Sequence, residues 1–203
     1  TKLVLNTKNK VNIAIIGKYV ELKDAYKSLD EALTHGGIAN NLKVNLIRIE
    51  SDYLKPSEIE KKVNGASGIL IPGGFGKRGT EGKIAAINYA RKNKVPFLGI
   101  CFGMQMAIIE FARNKLNIKN ATSSEFGYSK SSVIGLMSEW VKDGKLIKGT
   151  DKTLGGTMRL GSYEARLKKD TKISKIYNSL KIEERHRHRY EVNINYKENF
   201  ENK

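Results

Sequence analysis

Apolar positions fall into short continuous runs separated by helical stretches, and this alternation predicts most of the architecture. Val11–Gly17 (VNIAIIG) is a largely apolar run closed by glycine, as expected of a strand buried on both faces. Ala25–His35 carries Leu29, Ala32 and Leu33 at helical spacing, and Gly36-Gly37 is expected to break that helix. Lys43–Ile49 reads as a second strand, and Pro56–Val63 as a short helix opened by its proline. Gly68–Ile71 is a third strand, running into Pro72-Gly73-Gly74-Phe75-Gly76. Thr80 is placed to cap a helix ending near Asn93, and Pro96–Ile100 is a fourth strand. A helix carrying Met104, Ala107, Ile108 and Phe111 follows at once.

This order predicts an α/β fold: an open, doubly wound, mostly parallel sheet with helices on both faces. The second half changes character. Thr157–Leu167 and Ile182–Asn193 alternate as extended segments around a short helix at Ile173–Asn178, which predicts an antiparallel extension in the C-terminal part. Residues 1–10 are polar and pattern-poor and read as a linker or terminus, leaving 11–203 as one domain. Tyr196–Lys203 opens a helix without a stop signal, so the chain reads as cut before its domain is complete.

A length of 203 residues suits one medium domain, and no apolar run approaches a membrane span. The net charge of +16 invites a nucleic-acid reading. The lysines are scattered, however, without the aromatic interleaving of a binding groove, so a solvated basic surface is expected, with neither nucleic acid nor membrane as partner. One cysteine and three histidines exclude an internal disulfide and make a metal site unexpected. A reducing, cytoplasmic setting follows from that usage.

Cys101 lies in Gly99-Ile100-Cys101-Phe102-Gly103, where a buried strand meets a helix without a loop. This is the thiol form of a nucleophile elbow, whose tight turn requires flanking glycines. A helix N-terminus there is expected to favour the thiolate and to offer free N–H groups to an oxyanion. The bland alternative is a small buried apolar residue, which free cysteine usually is. The glycine-rich segment after the third strand could supply a second oxyanion donor or be a simple turn. Gly76-Lys77-Arg78 lacks the Gly-Lys-Ser/Thr of a phosphate loop. In Glu184–Asn193, strand alternation places His186 and His188 on one face and Arg185, Arg187 and Arg189 on the other. The guanidinia suit carboxylate or phosphate recognition, or a salt-bridged surface; the histidines lack an evident third ligand for zinc.

GKYVELKDAYKSLDEAL, GILIPGGFGKRGTEGK, PFLGICFGMQMAIIEFAR, NATSSEF, GGTMRLG and IEERHRHRYEVN resemble, in order and spacing, the glutaminase domains of the CTP synthases, which are class I (triad) glutamine amidotransferases. The resemblance runs from about Val11 to Asn193; Phe102 stands where many members have leucine. It implies that Cys101 attacks the side-chain amide of L-glutamine, with the N–H groups of Gly74 and Phe102 as oxyanion hole. It also implies a glutamine pocket of Gly74, Phe102, Gly103, Met104, Gln105, Glu125 (toward the α-ammonium) and Arg189 (toward the α-carboxylate). Arg78–Gly82 resembles the loop through which GTP activates the family. No cofactor is implied in this domain. ATP, UTP and magnesium belong to an amidoligase domain that would use the ammonia to aminate UTP, in an enzyme expected to be a homo-oligomer. One departure stands out: no His-x-Glu pair follows Arg189, and the resemblance places it beyond Lys203. Two other readings remain open: an elbow-cysteine hydrolase such as a γ-glutamyl hydrolase, and a non-catalytic binding module using the basic surface.

Overall fold

The computed structural model describes residues 9–22, 24–136, 139–142, 145–148 and 158–203. Most of the linker expected at 1–10 and residues 155–157 of GGTMRLG lie outside the described residues. Lys10 already belongs to the first strand, paired with Lys43. The chain gathers into two compact units, one running through Ile134 and resuming at Val192–Lys203, the other Gly135–Glu191.

The first unit is built on a parallel sheet of β1 (Lys10–Gly17), β2 (Lys43–Glu50), β3 (Gly68–Ile71) and β4 (Phe97–Gly99), in the order β2-β1-β3-β4. Its helices are α1 (Lys27–Ala39), α2 (Ile59–Lys62, preceded by a 3-10 turn at Pro56–Glu58), α3 (Thr80–Lys92) and α4 (Phe102–Asn114). The order reverses at β1: the chain steps to one side for β2 and to the other for β3 and β4. Right-handed crossovers then put α1 on one face of the sheet and α2 and α3 on the other. Such a reversal opens a crevice at the C-terminal ends of β1 and β3, the usual ligand position in open α/β sheets. The core is the apolar pattern made solid: Ala14, Ile15, Ile16, Ile69, Leu70, Ile71, Met106 and Ile109 are all buried.

Two local readings need correction, the end of α1 and the cap of α3. Gly36-Gly37 do not end α1, which continues to Ala39. Gly37 is there for close approach, because a Cβ on it would lie 2.6 Å from Val44 Cγ2 and 2.8 Å from the Leu42 carbonyl oxygen. Thr80 is the first residue of α3 rather than its cap. The cap position is Gly79, with φ of 70°, and the Thr80 hydroxyl donates to the Lys77 carbonyl at 2.8 Å. In α4 the buried positions are Phe102, Gly103, Gln105, Met106, Ile109, Glu110 and Ala112, while Met104 is exposed. That rotation is set by Gly103, whose Cα faces the Ile71 carbonyl closely enough that a Cβ would collide with it.

After α4, β5 (Thr122–Ser123) pairs in parallel with β6 (Ser132–Leu136). The second unit holds the antiparallel pairs β7 (Glu139–Lys142) with β8 (Lys145–Lys148), and β9 (Arg159–Arg166) with β10 (Lys181–His188). Between β9 and β10 lies α5 (Lys172–Tyr177), where the Thr171 hydroxyl oxygen accepts from the Ser174 N–H. The predicted extension is therefore present, with the Ile182–Asn193 segment divided at Arg189 into β10 and β11 (Tyr190–Val192). A 3-10 turn at Ile194–Tyr196 leads into α6 (Lys197–Glu201). Among the described residues, no helix is long and apolar enough to cross a membrane.

Candidate active site

Cys101 occupies the junction of β4 and α4 with φ of 53° and ψ of −105°, a left-handed conformation that side chains other than glycine rarely adopt. The glycines on either side make that turn possible. A Cβ on Gly99 would lie 2.6 Å from the carbonyl carbon of Gly103, and one on Gly103 would strike the carbonyl of Ile71. No larger residue fits at either place without moving backbone. The strained elbow is thus built by close packing between β3, β4 and the first turn of α4.

The loop after β3 runs alongside. A Cβ on Gly73 would be 3.6 Å from Cys101 Cβ, so the two strand ends are in contact range. The backbone amides of Phe102 and Gly74 lie close enough to the Cys101 sulfur to pull its pKa down. One belongs to α4 and the other to the loop after β3, so two separate elements act on the thiol. The half-buried thiol is nevertheless pushed above its ordinary pKa. Burial is the largest cause, the nearby Glu125 carboxylate adds to it, and the two amides oppose it without prevailing. The amide of Phe102 at the helix N-terminus favours the thiolate, as expected, but desolvation outweighs it and the thiol needs a base.

Glu125 comes from a 3-10 turn at Ser124–Phe126, where the Ser123 side chain accepts from the Glu125 N–H at 3.2 Å. Its Oε1 accepts from the Gly76 N–H at 2.5 Å, which ties this turn to the loop after β3. Gln105 is buried one turn into α4, its N–H donating to the Cys101 carbonyl at 3.1 Å. Gly74, Cys101, Phe102, Gly103, Met104, Gln105 and Glu125 all lie in the first unit. Arg189 lies in the second, half-buried at the break between β10 and β11. His186 and His188 share a face, as alternation predicts, with their Nδ1 atoms 3.2 Å apart. Among the described residues no group of three or more His, Cys, Asp or Glu is placed to hold a metal.

Two residues at this site escaped sequence reasoning. Lys18, the first residue past β1, donates from Nζ to the carbonyls of Phe75 at 2.5 Å and Gly76 at 3.2 Å. Lys83 is almost fully buried, its Nζ 2.9 Å from Ser51 Oγ. Burial, and secondarily the charge of Lys18, push it down to about 8. Both line a cavity of about 200 Å³ behind Gly73, Gly74 and Phe75. The readable signals were position and period. Lys18 follows a strand at the sheet's switch point, and Lys83 shares the apolar face of Ile87 and Ala90 at helical spacing.

An elbow cysteine, two neighbouring amides and a carboxylate at the C-terminal edge of a parallel sheet can perform acyl transfer through a thioester. The family model for class-I glutamine amidotransferases matches residues 21–202, and the chain belongs to that family. Within the family, its similarity runs to the CTP synthases. The chain is 73% identical over 203 residues to a CTP synthase of Pelagibacter ubique (strain HTCC1062), covering 100% of this chain and 38% of that protein. It is 60% identical over 194 residues to a CTP synthase of Rhizobium johnstonii, covering 95% and 36%. The solved structure of a Trypanosoma brucei CTPS glutaminase domain with bound acivicin matches with a TM-score of 0.81 and 36% identity, covering 95% of this chain and 72% of that one. The domain is of the CTP synthase type, and it spans less than two fifths of the length of these curated relatives.

Proposed function

We propose that this domain hydrolyses L-glutamine to glutamate and ammonia, and that the ammonia is used by an amidoligase domain of the same enzyme for ATP-dependent amination of UTP to CTP. The reading is carried by one observation: Cys101 stands with φ of 53° at a glycine-flanked elbow between β4 and α4, with the loop of Gly73 and Gly74 packed against it. In this reading the Gly74 and Phe102 N–H groups beside the elbow need no reorganisation when negative charge develops on the amide oxygen. Cys101 Sγ attacks the side-chain carbonyl carbon, and the oxyanion lies between the two N–H groups. Cleavage of the C–N bond releases ammonia, with a proton supplied to the leaving nitrogen. Water then opens the thioester to glutamate and returns the thiol.

Glu125 pairs with the substrate's α-ammonium, Arg189 with its α-carboxylate, and Gly103, Met104 and Gln105 complete the pocket. Because burial raises the thiol's pKa, a base must take its proton. The histidine–glutamate pair that serves this role by resemblance is not contained in residues 1–203. ATP, UTP and magnesium belong to the amidoligase domain, and assembly into a homo-oligomer to the whole enzyme. GTP acts as activator at the Arg78–Gly82 stretch, which runs into the first turn of α3. The Arg78 guanidinium there already pairs with Asp52 at 2.6 Å and lies over the Tyr19 ring, so a bound nucleotide would compete with that carboxylate.

The test is an intact mass spectrum of the full-length polypeptide before and after a glutamine-analogue electrophile. A single adduct on Cys101, prevented by excess glutamine, is expected. A folded protein whose labelling ignores glutamine would overturn the reading.

A further inference from the structure

The side chain of Phe102 carries chemistry that its oxyanion N–H does not require. Its ring is buried at 1% exposure, and two ammonium groups stand over it: Lys18 Nζ at 5.7 Å and Lys83 Nζ at 5.9 Å from the centroid. Phe126, the neighbour of Glu125, meets it edge-on at 6.1 Å. Elements from β1, α3 and the turn after β5 therefore converge on one aromatic ring at the N-terminus of α4. The electron-rich face of an aromatic ring attracts a cation within about 6 Å, and more strongly where water is excluded.

Lys18 is the consequential partner. The same Nζ that faces the ring donates to the carbonyls of Phe75 and Gly76, so it fastens the loop carrying the Gly74 N–H. The burial that disfavours its charge, and the repulsion from Arg78, both lower the pKa of Lys18. An ammonium under that pressure needs compensating contacts, and the ring is one of them.

We infer that the Phe102 ring is a positioning group: by seating Lys18 it holds the Pro72–Gly76 loop, and so couples the two halves of the oxyanion hole that the peptide N–H groups of Gly74 and Phe102 form. The inference rests on the oxyanion-hole reading above. An aliphatic side chain in its place would keep the N–H and most of the packing while losing the seat.

The experiment is hydrogen–deuterium exchange over residues 72–79 in the full-length polypeptide, comparing wild type, Phe102→Leu, Lys18→Met and the double variant. Each single variant is expected to speed exchange in this segment roughly three- to tenfold, the range of a modest cation–π contact. In the Lys18→Met background, Phe102→Leu should add nothing, because its effect passes through Lys18. Glutamine turnover by Phe102→Leu should fall in kcat with KM little changed. Unaltered exchange in Phe102→Leu, or effects of the two substitutions that multiply, would overturn the inference. If Phe102→Leu fails to fold, exchange in Lys18→Met decides alone: an unaffected loop contradicts the coupling. The exchange arms need no substrate, so a wild type that leaves glutamine untouched would count against the proposed function instead.

Discussion

The Gly76 N–H donates to Glu125 Oε1 at 2.5 Å, joining the loop after β3 to the turn after β5 across the mouth of the elbow. The carboxylate is thus held in place before any substrate arrives, close enough to Cys101 to raise the thiol's pKa. Glu125→Gln preserves an acceptor for Gly76 but removes the charge. KM for glutamine should rise roughly ten- to a hundredfold, as expected for a charge-assisted contact of about 1.5–3 kcal/mol. With the negative charge gone, the alkylation rate of Cys101 should shift to lower pH. Steady-state kinetics and an iodoacetamide pH profile check both, and a profile shifted upward would contradict the placement.

Lys83 gives a stability signature. Its folded pKa of about 8 lies below the ordinary 10.5, so the unfolded chain binds more protons between these values. The burial cost is fully present below about pH 8 and fades as pH rises toward 10.5. Between pH 7 and pH 10, stability of the wild type should rise relative to Lys83→Met by about 2–3 kcal/mol. Urea denaturation of both proteins at the two pH values measures the difference. A difference independent of pH would mean that Lys83 titrates normally.

Gly103→Ala places a methyl group against the Ile71 carbonyl, which is backbone and cannot swing away. Overpacking of this kind costs about 1–3 kcal/mol, so thermal melting should drop by roughly 3–10 °C. Turnover should fall further than stability, because α4 must shift and with it the Phe102 N–H. A melting curve that matches wild type would show that the elbow tolerates a side chain.

Three strands of the parallel sheet were readable because their largely apolar runs close on glycine or proline: β1 at Gly17, β3 before Pro72 and β4 at Gly99. Gly68–Ile71 has the predicted bounds, and β1 and β2 differ by a residue at an end. The elbow was readable for a similar reason, since only glycine fits at 99 and 103 and the sequence displays both. What escaped depended on tertiary contacts. Gly37 looked like a helix breaker because its partners, Leu42 and Val44, are not local to the helix. The cap of α3 went to Gly79 because a Cβ there would lie 2.5 Å from Ser51 Oγ, a contact between distant segments. Lys18 and Lys83 were hidden among many surface lysines. Burial, which composition does not register, is what sets them apart and what raises the Cys101 thiol.

The central claim concerns Cys101 as the source of ammonia for a separate amination. In the full-length enzyme, Cys101→Ala should abolish CTP formation with glutamine while leaving formation with added ammonia close to wild type. Retention of glutamine-dependent synthesis, or loss of both activities in a protein that still folds, would contradict it.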